Sequence, residues 1–217
     1  MYAITPKFLS GIPKLPFRNG VGAYEGIVLH STGNGEDTAL GNVNYEQDHW
    51  QDAFVHYFID ETGIYQTAST DFRAWGAGAN ANPRFVHIEL CETKNHDDFL
   101  VSYNQYVWLA GYLLYSKKLG VTPAKADGTG TLWSHADVTK ILGGTTHPDP
   151  IDFLASHGKT WANVVNDVTY VYNQYVEQDK PKFVHYITGG FQIGSDAQKA
   201  FEDYMNSKKW WYTKEEA

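Results

Sequence analysis

Short apolar runs closed by polar loops alternate along the chain with stretches of helical spacing. Gly26-Ile27-Val28-Leu29-His30, followed by Ser-Thr-Gly-Asn-Gly, predicts a buried strand that ends at His30. Residues 38–51 predict a helix, and 53–59 and 64–68 predict two strands joined by the turn Asp60-Glu61-Thr62-Gly63. After a Gly/Ala/Asn-rich loop over 75–83, residues 85–92 alternate as a strand that places His87, Glu89 and Cys91 on one face. The stripe over 103–119 predicts a helix, closed by Lys117-Lys118 and Gly120. Leu132-Trp133-Ser134-His135 predicts another strand end, with a helical turn opening at Ala136-Asp137-Val138. A second stripe over 160–176 predicts the last helix of the body. Strands alternating with helices give an α/β fold, a central mixed β-sheet flanked by helices.

The charged run Glu177 to Lys180, broken by Pro181, marks a linker, so a domain over 1–178 is followed by a segment over 179–217. That segment predicts a small βαβ appendage: a strand over 183–188, a helix over 195–207 with Ser195 as N-cap, and a strand over 210–213. It is too short to hold a core alone, so it is expected to dock on the body, to pair with other copies as a homo-oligomer, or to belong to a longer module.

The 217 residues are 42% apolar and 15% aromatic, which excludes a disordered or fibrous chain. The net charge of −8 argues against a nucleic-acid track or a polybasic membrane anchor. The acidity lies in the body: 11 basic and 20 acidic residues precede Lys180, against six and five from there on. A single cysteine, Cys91, permits no intrachain disulfide and no Cys-based zinc knuckle, so any metal would rest on histidines and carboxylates. No apolar run approaches the ~20 residues of a membrane span, and the N-terminal stretch lacks the pattern of a secretory signal. His30 and His135 both end apolar strands, where one sheet can bring distant residues together, and Asp149 follows in an irregular loop where a carboxylate is free to point at a metal. His56 and His87, inside apolar strands, read as hydrogen-bonded structural histidines.

IVLHST around His30, AFVHYFIDETG, RAWGAG, PRFVHIELCET and SHADV with HPDP occur in one order and spacing over residues 20 to 178. In this they resemble the zinc-dependent N-acetylmuramoyl-L-alanine amidases of the amidase-2 type, which share their fold with peptidoglycan recognition proteins. The resemblance implies a Zn2+ cofactor with His30, His135 and Asp149 as ligands. It implies Glu89 as the acid-base that deprotonates water and protonates the leaving amine, and His147 as a group that stabilises the oxyanion. His147 is a rival third ligand and Glu92 a rival base, although three steps from Glu89 it would face the opposite side of the strand. Relatives often carry His where this chain has Gly76. Trp50, Trp75 and Asn82 suit a groove for sugar and stem peptide, and Trp is equally at home in a core.

The implied activity is hydrolysis of the amide between N-acetylmuramic acid and L-alanine of peptidoglycan. The expected setting is a phage endolysin that lyses Gram-positive hosts, held in the host cytoplasm until a holin releases it. The alternatives are a non-catalytic peptidoglycan receptor of the same fold or a bacterial autolysin. The appendage, with YITGGF and WWY, resembles a SPOR-like wall-binding unit.

Overall fold

A computed structural model of the chain describes residues 1–179 and 191–209. The chain divides into two units, Met1–Lys180 and Pro181–Ala217. The first unit is built on a six-stranded sheet. Its strands are β1 (Ile4–Pro6), β2 (Gly26–Ser31), β3 (Tyr57–Asp60), β4 (Gly63–Gln66), β5 (Phe85–Leu90) and β6 (Leu132–Ser134), in the order β1-β4-β3-β5-β2-β6. Only β3 and β4 pair antiparallel; every other pair is parallel, so the sheet is mixed.

The β3–β4 hairpin turns where the sequence places it. Asp60 holds it by accepting from Thr62 N at 2.9 Å, while its other oxygen accepts from Ala39 N at 2.7 Å and ties the turn to helix α1 (Ala39–His49). The first of these strands is shorter than its apolar run suggests: regular pairing starts at Tyr57, and Phe54 makes only an isolated bridge to Trp75. β1 has no signature in the sequence. It is a three-residue edge strand that borrows its register from β4.

Helix α2 (His96–Ser116) covers one face of the sheet. It starts a full turn and more before the predicted Tyr103, because Asn95 caps it by accepting from Asp97 N and Asp98 N and two aspartates occupy its first turn. Phe99, Tyr106, Leu109 and Leu113 meet Ile27, Leu29, Ile59 and Ile88 in the main core. Helix α5 (Trp161–Asp179) packs across α2 at Gly111, where a Cβ would come within 2.7 Å of Val171 Cγ1. A second apolar cluster, with Val43, Phe54, Phe58 and Cys91, lies under α1, and a third joins Val28, Ala77, Phe85 and Trp133. Among the described residues no helix is long and apolar enough to cross a membrane.

In the second unit, helix α6 (Asp196–Ser207) starts at Ser195, whose side chain accepts from Gln198 N. The strands predicted over 183–188 and 210–213 lie outside the described residues.

Candidate metal centre

β2, β5 and β6 run parallel and release the chain at one edge of the sheet, which is where the chemistry-bearing residues gather. His30 is the penultimate residue of β2 and pairs with Glu89 of β5. His135 follows β6 and opens the one-turn helix α3 (His135–Asp137), fixed by a reciprocal cap between Ser134 and Asp137. Asp149 precedes helix α4 (Ile151–Ser156), and its carbonyl accepts from Ala136 N at 3.0 Å, which returns the intervening loop to the start of α3.

The side chains converge. His30 Nδ1 lies 3.0 Å from His135 Nδ1 and 3.2 Å from Asp149 Oδ2, and His135 Nδ1 lies 3.1 Å from Asp149 Oδ1. His30, His135 and Asp149 each offer one ligand atom within 4.8 Å of the others, a donor set able to hold a metal ion. Burial pushes the His30 imidazole below its ordinary pKa, with Asp149 pulling the other way, the direction that favours the neutral ring a metal requires. Asp149 is held well below the usual carboxylate range: burial would raise it, and the hydrogen bonds from His135 and His30 outweigh that.

The outward nitrogen of each ring is also held. His135 Nε2 meets Thr145 Oγ1 at 2.9 Å, and His30 Nε2 meets His87 Nδ1 at 3.2 Å. From the opposite face of the sheet, Tyr106 donates its hydroxyl to the His30 carbonyl at 2.9 Å. Held ligand rings of this kind suit a metal centre, because the second hydrogen bond sets which nitrogen is free.

Glu89 Oε1 stands 4.0 Å from His30 Nδ1, and Oε2 is sealed from solvent without a partner. Burial drives this carboxyl well above its ordinary pKa, and the charge of Asp149 adds to the effect. His147 sits at the mouth, its side chain 69% exposed, stacked on His135 at 5.0 Å with Nδ1 3.9 Å from Asp149 Oδ1. Glu92 lies beyond the end of β5 and accepts from Ser31 Oγ at 2.8 Å and Gly35 N at 3.2 Å, so it braces the loop after β2.

The residues that the sequence suggested for a groove, Trp50, Trp75 and Asn82, are partly buried and partly held by local contacts. Asn82 Oδ1 accepts from Ala77 N, and Trp75 Nε1 donates to the Trp50 carbonyl, with both indoles against the cluster under α1. His87 is the residue whose place the sequence did not disclose, although the alternation of β5 already put it on the face of Glu89.

The family model described as N-acetylmuramoyl-L-alanine amidase matches residues 21–151, a span that contains β2 to β6 and all of the residues above. The chain belongs to this amidase family. Within it, the chain is 43% identical over 169 residues to Protein Ami of Listeria monocytogenes, a match that covers 78% of this chain and 18% of that protein. It is 42% identical over 158 residues to the bifunctional autolysin of Staphylococcus aureus, covering 73% and 13%. The chain thus spans less than a fifth of the length of these curated relatives. The crystal structure of the Staphylococcus aureus hydrolase AmiA in complex with its ligand superposes with a TM-score of 0.78 at 38% identity, covering 83% of this chain and 88% of that one. A mutant endolysin from Bacillus subtilis, 20% identical over 77% of this chain and 99% of its own, shares the fold at a TM-score of 0.58. Family membership and the His/His/Asp cluster together mark a metal-dependent hydrolase.

Proposed function

We propose that this chain is the catalytic module of a zinc amidase that cleaves the bond between the lactyl carboxyl of N-acetylmuramic acid and L-alanine in peptidoglycan. The observation that carries the reading is the three-donor cluster of His30, His135 and Asp149 beside the carboxyl of Glu89, whose Oε2 is buried without a partner. Zinc–nitrogen bonds of about 2.0–2.1 Å at tetrahedral angles set donors about 3.3 Å apart, close to the 3.0–3.2 Å spacing here. When bound, zinc supplies a Lewis acid that polarises the scissile carbonyl and acidifies water. Glu89 takes the proton of the attacking water and returns it to the amide nitrogen as the carbon–nitrogen bond breaks, a task that favours a carboxyl with a raised pKa. An N–H of His147, exposed at the mouth, donates to the oxygen that becomes negative.

The setting favoured is that of a bacterial wall-remodelling enzyme. The relatives above 40% identity are named Ami and autolysin, whereas the endolysin match at 20% speaks for the fold alone. The phage endolysin suggested by the sequence is the weaker reading. Purified protein is to be incubated with Gram-positive peptidoglycan, with and without a chelator, and the new termini identified by mass spectrometry. Free N-terminal L-alanine on intact stem peptides, lost on chelation and restored by zinc, is the expected result. Retention on uncut wall would favour the receptor reading, and cleavage indifferent to chelation would overturn the zinc assignment.

A further inference from the structure

We propose that His87 is a positioning residue that fixes the tautomer and ring orientation of the metal ligand His30. The inference rests on the metal-centre reading above. His30 turns Nδ1 toward His135 and Asp149, so when Nδ1 offers its lone pair to a cation the ring proton resides on Nε2. Nε2 faces His87 Nδ1 at 3.2 Å, which leaves one sense for that bond: His30 donates and His87 accepts. His87 then carries its own proton on Nε2.

That nitrogen is buried and has no partner. The next ring is fixed in the same way. His56 Nε2 lies 3.0 Å from the Phe72 carbonyl, which can only accept, so His56 Nδ1 is bare and accepts from the backbone N–H of His87 at 3.0 Å. With Nδ1 of His30 given to a cation, each bond from Phe72 to His30 has a single allowed direction.

Packing alone does not account for an imidazole at this position. A buried N–H without an acceptor is a standing cost. Phenylalanine would fill the same space between the rings of His56 and His30 without a buried N–H of its own, but would leave His30 Nε2 without its partner. The polar contact that gives the ring a task is the one to His30. The surroundings leave room for it: at Gly76 a Cβ would come within 2.7 Å of Val55 Cγ1 and 3.5 Å of His87 Cγ, so a side chain there would compete for the strip that His87 occupies.

The test compares His87→Phe with His87→Asn in the full chain. Each protein is stripped of metal, titrated with zinc against a competing chelator, and melted with and without zinc. His87→Phe is expected to bind zinc about 10- to 100-fold more weakly than the wild type, with a smaller zinc-induced rise in Tm. His87→Asn places its Oδ1 near the position of the imidazole Nδ1 and is expected to recover affinity to within a few-fold of wild type. If His87→Phe does not fold, His87→Leu takes its place. A His87 that only fills space gives equal zinc affinity in all three proteins, which overturns the proposal, as does a His87→Asn protein as weak as His87→Phe. A wild type that binds no zinc overturns the metal-centre reading itself, an outcome distinguishable from both.

Discussion

On β2 and β5, Ile27, Leu29, Ile88 and Leu90 turn toward α2 and join one continuous apolar core, whereas Val28, His30, His87 and Glu89 turn the other way, to the face that carries the candidate metal centre. The first face gains stability from close packing. The second spends it: the buried His87 Nε2 and Glu89 Oε2 lack partners. Two sets of side chains one residue apart therefore serve opposite ends, and substitutions on the two faces should separate activity from stability.

The largest effect should come from the site face. Glu89→Gln removes the proton acceptor while keeping the shape, and is expected to slow wall hydrolysis by about 10²–10⁴-fold. The same change removes the charge from a carboxyl whose Oε2 is buried without a partner, so Tm at neutral pH should hold or rise. A variant that hydrolyses normally would remove Glu89 from the mechanism; one that melts far below wild type would erase the contrast between the faces. On the α2 side, Leu109→Ala truncates a fully buried residue and is expected to cost about 2–5 kcal/mol by denaturant titration. The molecules that remain folded should keep their turnover, and a loss of turnover beyond the unfolded fraction would show that the faces are coupled.

The smallest effect is one of pH, on α1. Glu46 is buried beneath the hairpin, accepting from Val55 N at 3.1 and 3.3 Å, and burial pushes its carboxyl from 4.5 up to about 8. Below 4.5 the folded and unfolded chains both hold the proton and nothing is lost. Between 4.5 and about 8 the unfolded chain releases its proton while the folded chain retains it, so this group's contribution falls as pH rises, and it is fully lost above that range. Glu46→Gln keeps an acceptor for Val55 N. Its Tm should match the wild type near pH 4 and exceed it increasingly toward pH 8.5; a gap that does not vary with pH would contradict the raised pKa.

Much of the scaffold could be read from pattern because burial on both faces leaves its mark in the sequence. β2 and β5 show as apolar runs, and polar loops close the strands behind His30 and His135. β1 was illegible: Ile-Thr-Pro has no periodicity of its own and becomes a strand only by pairing with β4. The first turns of α2 are hard to read because the buried Phe99 is followed by the exposed Leu100 and Val101, so the apolar residues there do not keep to one face. At the centre, chemistry was easier to read than geometry. Glu89, His147 and the three candidate ligands came from motifs, but the place of His87 beside His30 depends on register between two strands 57 positions apart. No local signal encodes that register.

The parallel run of β6, β2 and β5 also bears on how such a protein can change. All three release the chain at one edge, so the segments over 32–38, 92–95 and 138–148 form a rim that the strand pairing does not depend on. Insertions there can reshape what the mouth admits while His30 and Glu89 keep their register. The scaffold behaves as a fixed chuck with exchangeable jaws, and adaptation to a new substrate is an edit of loops.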